Sequence, residues 1–224
     1  MIHKKHSTGA LITGLVTLFG FSIMVTFVVV NQDITNFDRT VIAFIQGFET
    51  STLTSIMKFF TFIGSFSAML VIVLLTSLFL YVVMKHRAEI ILLWSVVIST
   101  PILNWILKQI FHRARPELHR LIDIGGYSFP SGHAMSAFAF YGILAFLLWR
   151  HIPNRTGRTI LILFSSLFIV LIGISRVYLG VHYPSDIIGG YFASGFWLTI
   201  AVGLFQKYKD KHFEKNQTTG REGL

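Results

Sequence analysis

Six apolar runs, each about as long as a bilayer-spanning helix, constrain the fold of this 224-residue chain more than any other feature of its sequence. A transmembrane helix needs about 20 predominantly apolar residues, because shorter helices do not cross the hydrocarbon core. The runs cover residues 9–30, 65–84, 88–110, 131–149, 159–178 and 184–205. They predict an all-α, integral membrane bundle of six transmembrane helices.

The segments outside these runs do not indicate a second domain. Residues 31–64 contain two apolar stretches that are too short to span, and they predict short interfacial helices between the first two spans. Residues 206–224 form a polar tail. Only 13% of the residues are charged, against about 25% in soluble domains, so residues 1–224 are interpreted as one membrane domain.

The basic residues indicate the orientation of the bundle. When the six runs alternate in direction, 12 of the 19 lysines and arginines fall on the side of the N-terminus. Basic residues concentrate in cytoplasmic loops, so we expect a multi-pass protein of the cytoplasmic membrane with both termini in the cytoplasm. The basic residues are scattered over loops and the tail, which argues against nucleic-acid binding despite the net charge of +9.

A first polar cluster, KQIFHRARPE, lies at the end of the third run. Lys108 and Arg115 are seven residues apart, which is about two helical turns, so we expect them on one face of a helix that Pro116 ends. Arg113 and Arg120 are interpreted as interfacial residues outside the site, whose long side chains reach the headgroups.

A second cluster, SFPSGHAMS, begins the fourth run. Ser131 is predicted as the N-cap of the helix, with Gly132 and His133 in its first turn. The free N–H groups and the positive dipole end of a helix N-terminus bind phosphate, so this cluster indicates an anion site.

A third cluster, GISRVYLGVHYPSDIIGG, joins the fifth and sixth runs and carries Arg176, His182 and Asp186. Pro184 is predicted near the first helical position. Ionisable groups beside membrane spans are costly to place and therefore indicate function. Because successive spans alternate in direction, all three clusters meet on the outer side. Their cations suit an anionic tetrahedral group, and their single carboxylate is too few for a magnesium or calcium site.

In residue type, order and spacing, the three clusters resemble the signature of the type-2 phosphatidic acid phosphatase family, whose superfamily includes the vanadium haloperoxidases. The match, within residues 108–186, consists of Lys108-x6-Arg115-Pro116, Pro130-Ser131-Gly132-His133 and Ser175-Arg176-x5-His182-x3-Asp186. The resemblance implies a metal-independent lipid phosphate phosphatase that acts at the outer face of the membrane without a cofactor.

Among family members, the chain is most similar to bacterial enzymes that hydrolyse phosphatidylglycerophosphate to phosphatidylglycerol. Two alternatives remain open, an undecaprenyl pyrophosphate phosphatase and a broad-specificity phosphatidic acid phosphatase. Transfer of the phosphoryl group to an alcohol is a third. A transporter is disfavoured because the spans show no inverted repeat and no ionisable residue deep in a span centre. Oligomeric state and preference for a lipid tail do not follow from the sequence.

The resemblance implies roles for three residues in the reaction itself. His182 is the nucleophile, which attacks phosphorus and forms a phosphohistidine. Asp186 orients His182 by accepting its other ring N–H. His133 is the general acid that protonates the leaving alkoxide and then helps to activate water.

Five further residues are expected to bind the phosphate. Lys108, Arg115 and Arg176 supply positive charge to its oxygens, and they replace the metal cation of many phosphoryl-transfer sites. Ser131 and Gly132 supply a hydroxyl and a backbone N–H donor. No role follows for Ser175. Tyr178 and Tyr183 are interpreted as aromatic anchors at the membrane interface.

Overall fold

The computed structural model describes residues 2–30, 33–85, 87–117 and 119–222, apart from the side chains of residues 2–8, 10, 30, 33 and 212–222. Within these ranges the chain forms α-helices and no strands. The helices are α1 (Ile2–Val30), α2 (Asp33–Gln46), α3 (Ser51–Ile63), α4 (Phe66–Val82), α5 (Arg87–Phe111), α6 (Gly132–Trp149), α7 (Arg155–Tyr178) and α8 (Pro184–Glu222). The all-α prediction is confirmed.

In the part of the chain that the structure describes, five helices, α1, α5, α6, α7 and α8, are long and apolar enough to cross a membrane. The second predicted span corresponds to α4, which has only 17 residues. Helices α3 and α4 pass the same test together, as a pair bent by 56° at a short break. The bundle therefore has six spans when this bent pair is counted as one, and α3 belongs to the bent pair rather than to the interface alone.

Helix α6 forms the centre of the bundle. It packs against α5, α7 and α8, while α1 lies along α8, α3 lies against α7 and α4 lies against α5. Half of its residues are buried, and small residues such as Ala134, Ala137 and Ala139 are among them. Small side chains let membrane helices approach closely, so the composition of α6 explains its central position.

An ion-pair cluster marks the end of the bundle that holds the start of α5. The buried Glu89 accepts a hydrogen bond from Lys209 of α8 at 2.9 Å, and Arg150 at the end of α6 lies 3.9 Å from the same carboxylate oxygen. These contacts place the start of α5, the end of α6 and the distal part of α8 at one level. The polar tail beyond residue 205 continues α8 as far as Glu222.

The predicted positions of Ser131 and Pro184 agree with the structure. Ser131 is the N-cap of α6, and its hydroxyl accepts a hydrogen bond from the Ala134 N–H. Pro184 is the first residue of α8. Pro101 lies inside α5 without ending it, as membrane helices tolerate.

The predicted end of α5 was wrong. The helix ends at Phe111, and the next residue, His112, has a positive φ of 47°. Arg115 precedes Pro116, and the ring of a proline disfavours helical geometry at the residue before it. Lys108 and Arg115 therefore do not share a helix face; Arg115 lies in the extended segment after α5.

Candidate active site

Four helix ends meet at the other end of the bundle, and hydrogen bonds to backbone carbonyls join the segments around them. The Ser131 N–H donates to the Asp186 carbonyl at 3.1 Å, which ties the start of α6 to the start of α8. Asn104 of α5 donates to the Pro130 carbonyl at 2.9 Å, and Lys108 donates to the Ser128 carbonyl at 3.1 Å. These bonds hold the segment before α6 against the end of α5.

A glycine shapes the turn that leads from α7 to α8. Gly180 has a φ of +73°, in the left-handed region that favours glycine. A Cβ atom at this position would lie 1.9 Å from the His119 carbonyl oxygen. Only glycine satisfies both conditions, and the turn brings His182 back over the end of the bundle.

His182 is buried, and its two ring nitrogens have different partners. Nδ1 lies 3.2 Å from Asp186 Oδ2, and Nε2 lies 3.1 Å from Nη1 of Arg115. An arginine only donates, so Nε2 accepts and the ring proton lies on Nδ1, facing Asp186. Burial lowers the pKa of His182 to about 3, although Asp186 opposes this shift. The ring is therefore neutral at physiological pH, and the lone pair of Nε2 faces Arg115.

Asp186 is fully buried, and each of its carboxylate oxygens is held separately. Oδ2 accepts hydrogen bonds from the Ser128 hydroxyl and from the Tyr183 N–H, besides facing His182. Oδ1 accepts from Nη1 of Arg113 at 2.6 Å. A carboxylate with this many donors cannot rotate freely, so it fixes the ring that it faces.

The interpretation of Arg113 as an interfacial residue outside the site was wrong. Its side chain is only 16% exposed, and it bridges Asp186 and Asp38 of α2, the latter at 2.8 Å. Its guanidinium lies 4.2 Å from the centre of the Tyr183 ring. Burial lowers the pKa of Arg113, but Asp186 and Asp38 outweigh that effect and raise it above its usual value.

Arg176 is almost fully buried and is held by α3. Its Nη1 donates to the Thr61 hydroxyl at 3.2 Å, and that hydroxyl also contacts Ser175 Oγ at 2.7 Å. Ser175 further bonds to the Ile172 carbonyl at 2.7 Å. Ser175 thus positions Thr61, which positions Arg176. Among the described residues, nothing pairs with the buried Nε of Arg176, so this donor is available to an anion.

Arg115 and His133 have different surroundings. Arg115 donates to the carbonyls of Gly126 at 2.9 Å and Val181 at 2.7 Å, and burial lowers its pKa. The ring of His133 lies against Gly64, at the break between α3 and α4, where a Cβ atom would lie 3.2 Å from His133 Cδ2. His133 also lines a cavity of about 370 Å³ between α4, α5 and α6, whose walls include Phe66, Met69, Leu70, Trp94, Val97, Ile98 and Phe140.

The remaining predicted residues have clear positions. Ser131 is fully buried with its hydroxyl capping α6, and a Cβ at Gly132 would lie 3.0 Å from Asn104 Oδ1. Tyr178 is not a membrane anchor, because it is 1% exposed and its hydroxyl hydrogen-bonds to Thr54 at 2.8 Å. Tyr183 is half-buried beneath Arg113.

Comparison with known proteins assigns the family. Residues 88–210 match the PAP2 superfamily. The chain belongs to that superfamily. It is 31% identical over 160 residues to phosphatidylglycerophosphatase B of Bacillus subtilis (strain 168), covering 70% of this chain and 77% of the relative. The predicted resemblance is confirmed, and the chain is a PAP2 membrane lipid phosphatase.

Another curated relative and a solved structure are also similar to this chain. The undecaprenyl-diphosphatase BcrC of Bacillus subtilis (strain 168) is 28% identical over 166 residues, which cover 71% of this chain and 77% of the relative. The crystal structure of a transmembrane PAP2-type phosphatidylglycerolphosphate phosphatase from Bacillus subtilis superposes with a TM-score of 0.79 at 25% identity, over 87% of this chain and 96% of that one.

Proposed function

We propose that the chain hydrolyses phosphatidylglycerophosphate to phosphatidylglycerol through a phosphohistidine on His182. The observation that carries this proposal is the arrangement of His182, with Nδ1 held by Asp186 and the lone pair of Nε2 directed towards Arg115. A neutral imidazole with its lone pair aimed at a phosphate-binding cation is oriented for in-line attack on phosphorus.

In the first step, Nε2 of His182 forms a bond to phosphorus as the P–O bond to the lipid alcohol breaks. Arg115 and the unpaired Nε of Arg176 bind phosphoryl oxygens, with Lys108, the Ser131 hydroxyl and the Gly132 N–H as further donors. His133 gives its proton to the departing alkoxide. Asp186 stabilises the charge that develops on the imidazole.

In the second step, His133 takes a proton from water, and the water oxygen attacks the phosphohistidine. The P–N bond breaks, inorganic phosphate leaves and His182 returns to its neutral form. His133, the proposed acid for the leaving group, lines the apolar cavity, whose volume falls in the usual range for small-molecule pockets. We assign this cavity to the apolar part of the lipid.

A second candidate function is the hydrolysis of undecaprenyl pyrophosphate, which is favoured by the similarity to the undecaprenyl-diphosphatase of Bacillus subtilis. The same residues would serve, because both substrates present a terminal phosphoryl group on an apolar tail. A broad-specificity phosphatidic acid phosphatase fits the same chemistry.

The deciding experiment measures phosphate release by the detergent-purified chain in the presence of EDTA. Phosphatidylglycerophosphate, undecaprenyl pyrophosphate and phosphatidic acid are offered at equal surface concentration. We expect the highest kcat/KM for phosphatidylglycerophosphate. Preference for undecaprenyl pyrophosphate would assign the chain to the second candidate function, and similar values for all three would indicate broad specificity. Loss of activity with EDTA would contradict metal-independent hydrolysis.

We also propose that the site faces the outer side of the cytoplasmic membrane, on the basis of the basic residues at the opposite end. The chain has no cysteine, so a single cysteine introduced at either end of the bundle can be labelled without a background from native thiols. Gly125 is exposed with open space around its Cβ position, and Thr156 is exposed at the other end. We expect a membrane-impermeant maleimide to label Gly125→Cys and not Thr156→Cys in intact cells. The reverse pattern would place the site in the cytoplasm.

A further inference from the structure

We propose that Asp38 and Arg113 are positioning residues for the reaction. They hold Asp186, and through it the ring of His182, in the orientation required for attack. This inference rests on the roles proposed above for His182 and Asp186. Arg113 falls among the six unspecified positions between Lys108 and Arg115 of the family signature, and Asp38 lies outside the residues that match the family.

The first argument is the way in which Arg113 divides its donors. Nη1 donates to Asp186 Oδ1 at 2.6 Å and to Ser185 Oγ at 2.7 Å, whereas Nη2 donates to Asp38 Oδ2 at 2.8 Å. The two ends of the planar guanidinium thus contact two carboxylates at once. A planar fork fixes direction as well as charge, so Arg113 sets the angle of the Asp186 carboxylate.

The second argument is the burial of Asp38. This carboxylate is 0% exposed, and it accepts from the Ser185 N–H at 2.9 Å and from the Ser185 hydroxyl at 2.6 Å, besides Arg113. A buried carboxylate is costly unless it is paired and hydrogen-bonded. Burial raises the pKa of Asp38, against its hydrogen bonds with Ser185 and Arg113. Both of its partners adjoin Asp186: Arg113 donates a hydrogen bond to the Asp186 carboxylate, and Ser185 precedes Asp186 in the chain.

The third argument is the balance of charge in the network. Asp186 faces the neutral His182 on one side and the permanent cation of Arg113 on the other. Because Asp38 also pairs with Arg113, this cation neutralises less of the negative charge of Asp186. More of that charge is then left to stabilise the imidazolium that forms on attack. Without Asp38, Arg113 turns wholly to Asp186 and weakens the hydrogen bond that His182 Nδ1–H donates to Asp186.

The test compares Asp38→Asn and Arg113→Lys with the intact chain, using the lipid phosphate that the intact chain hydrolyses faster. Asparagine keeps the size and the acceptor oxygen of Asp38 but removes its charge. Lysine keeps the charge of Arg113 but has one nitrogen, which cannot donate to both carboxylates in the same geometry. The matched control is Arg39→Ala, which removes an exposed cation from the neighbouring position on α2.

For both variants we expect kcat to fall about 10- to 100-fold, as for other residues that orient a reacting group through a second residue. KM and the inhibition constant of inorganic phosphate should change less than about threefold, because the phosphate-binding residues stay in place. The double variant should be no slower than the slower single variant, because the pair acts as a unit. Arg39→Ala should keep the kcat of the intact chain.

Two results would overturn the proposal. The first is an unchanged kcat in either folded variant. The second is a loss of thermal stability and phosphate binding in step with kcat, or failure of both variants to fold, since the pair would then serve the fold alone. His182→Ala in the same assay separates the two proposals: if it is active, the proposed mechanism fails, whereas if it is inactive beside fully active Asp38→Asn and Arg113→Lys, only the present inference fails.

Discussion

Replacing His182 with alanine is expected to lower kcat by at least about 10⁴-fold, in line with the loss of a nucleophile in other enzymes that form covalent intermediates. The physical reason is that no other neutral nucleophile has its lone pair directed towards Arg115 among the residues that the structure describes. Phosphate release is measured in detergent, and acid-labile phosphorylation of the protein is measured after rapid quenching. The intact chain should be labelled during turnover, and His182→Ala should not.

His119→Ala is the matched control for this substitution. His119 is exposed, lies in the segment after α5 and pairs with Glu49 on the surface at 2.8 Å. We expect it to retain the activity of the intact chain. A His182→Ala protein that is folded and fully active would rule out the phosphohistidine mechanism, because the reaction would then proceed without the imidazole.

The second large effect is expected at Arg176. In the intact chain, Nη1 of Arg176 contacts Thr61 while its Nε is available to the substrate. Arg176→Lys keeps a positive charge but has a single nitrogen, so it cannot make both contacts in this geometry. We expect kcat to fall about 100- to 1000-fold, equivalent to about 2.7–4 kcal/mol of lost transition-state stabilisation. KM should change less than kcat, since charge on the phosphoryl oxygens increases in the transition state.

Arg155→Lys provides the control for Arg176, because it makes the same chemical change at the exposed start of the same helix, α7. It should leave both kinetic constants unchanged. If Arg176→Lys raises KM and preserves kcat, Arg176 binds the substrate and its transition state equally well, and its proposed role in catalysis would be wrong.

Much of the fold and part of the site could be predicted from the sequence, because the signals are local. The apolar runs predicted the membrane helices. Ser131 predicted the start of α6, and Pro184 predicted the start of α8. The meeting of the three clusters followed from the alternation of spans, and the hydrogen bond from Ser131 to the Asp186 carbonyl shows that contact directly. The side of the membrane and the roles of the residues remain proposals.

The residues that the sequence did not reveal depend on contacts between distant segments. Asp38 is 147 residues from its partner Ser185, and Thr61 is 115 residues from Arg176. No spacing rule relates such positions. The neighbours of Asp38 include Asn36, Arg39 and Thr40, so the local sequence does not single it out either. The end of α5 could also have been placed earlier from the rule that disfavours helix before proline.

The contribution of α2 and α3 to the site limits how the family region can be exchanged between proteins. Residues 88–210 carry the signature. The carboxylate of Asp38, which pairs with Arg113, and the hydroxyl of Thr61, which accepts a hydrogen bond from Arg176, both come from earlier in the chain. Grafting the signature region onto foreign N-terminal helices would preserve every recognised residue and leave two buried arginines without these partners. Divergence in the first third of the chain can therefore change activity while the signature stays the same.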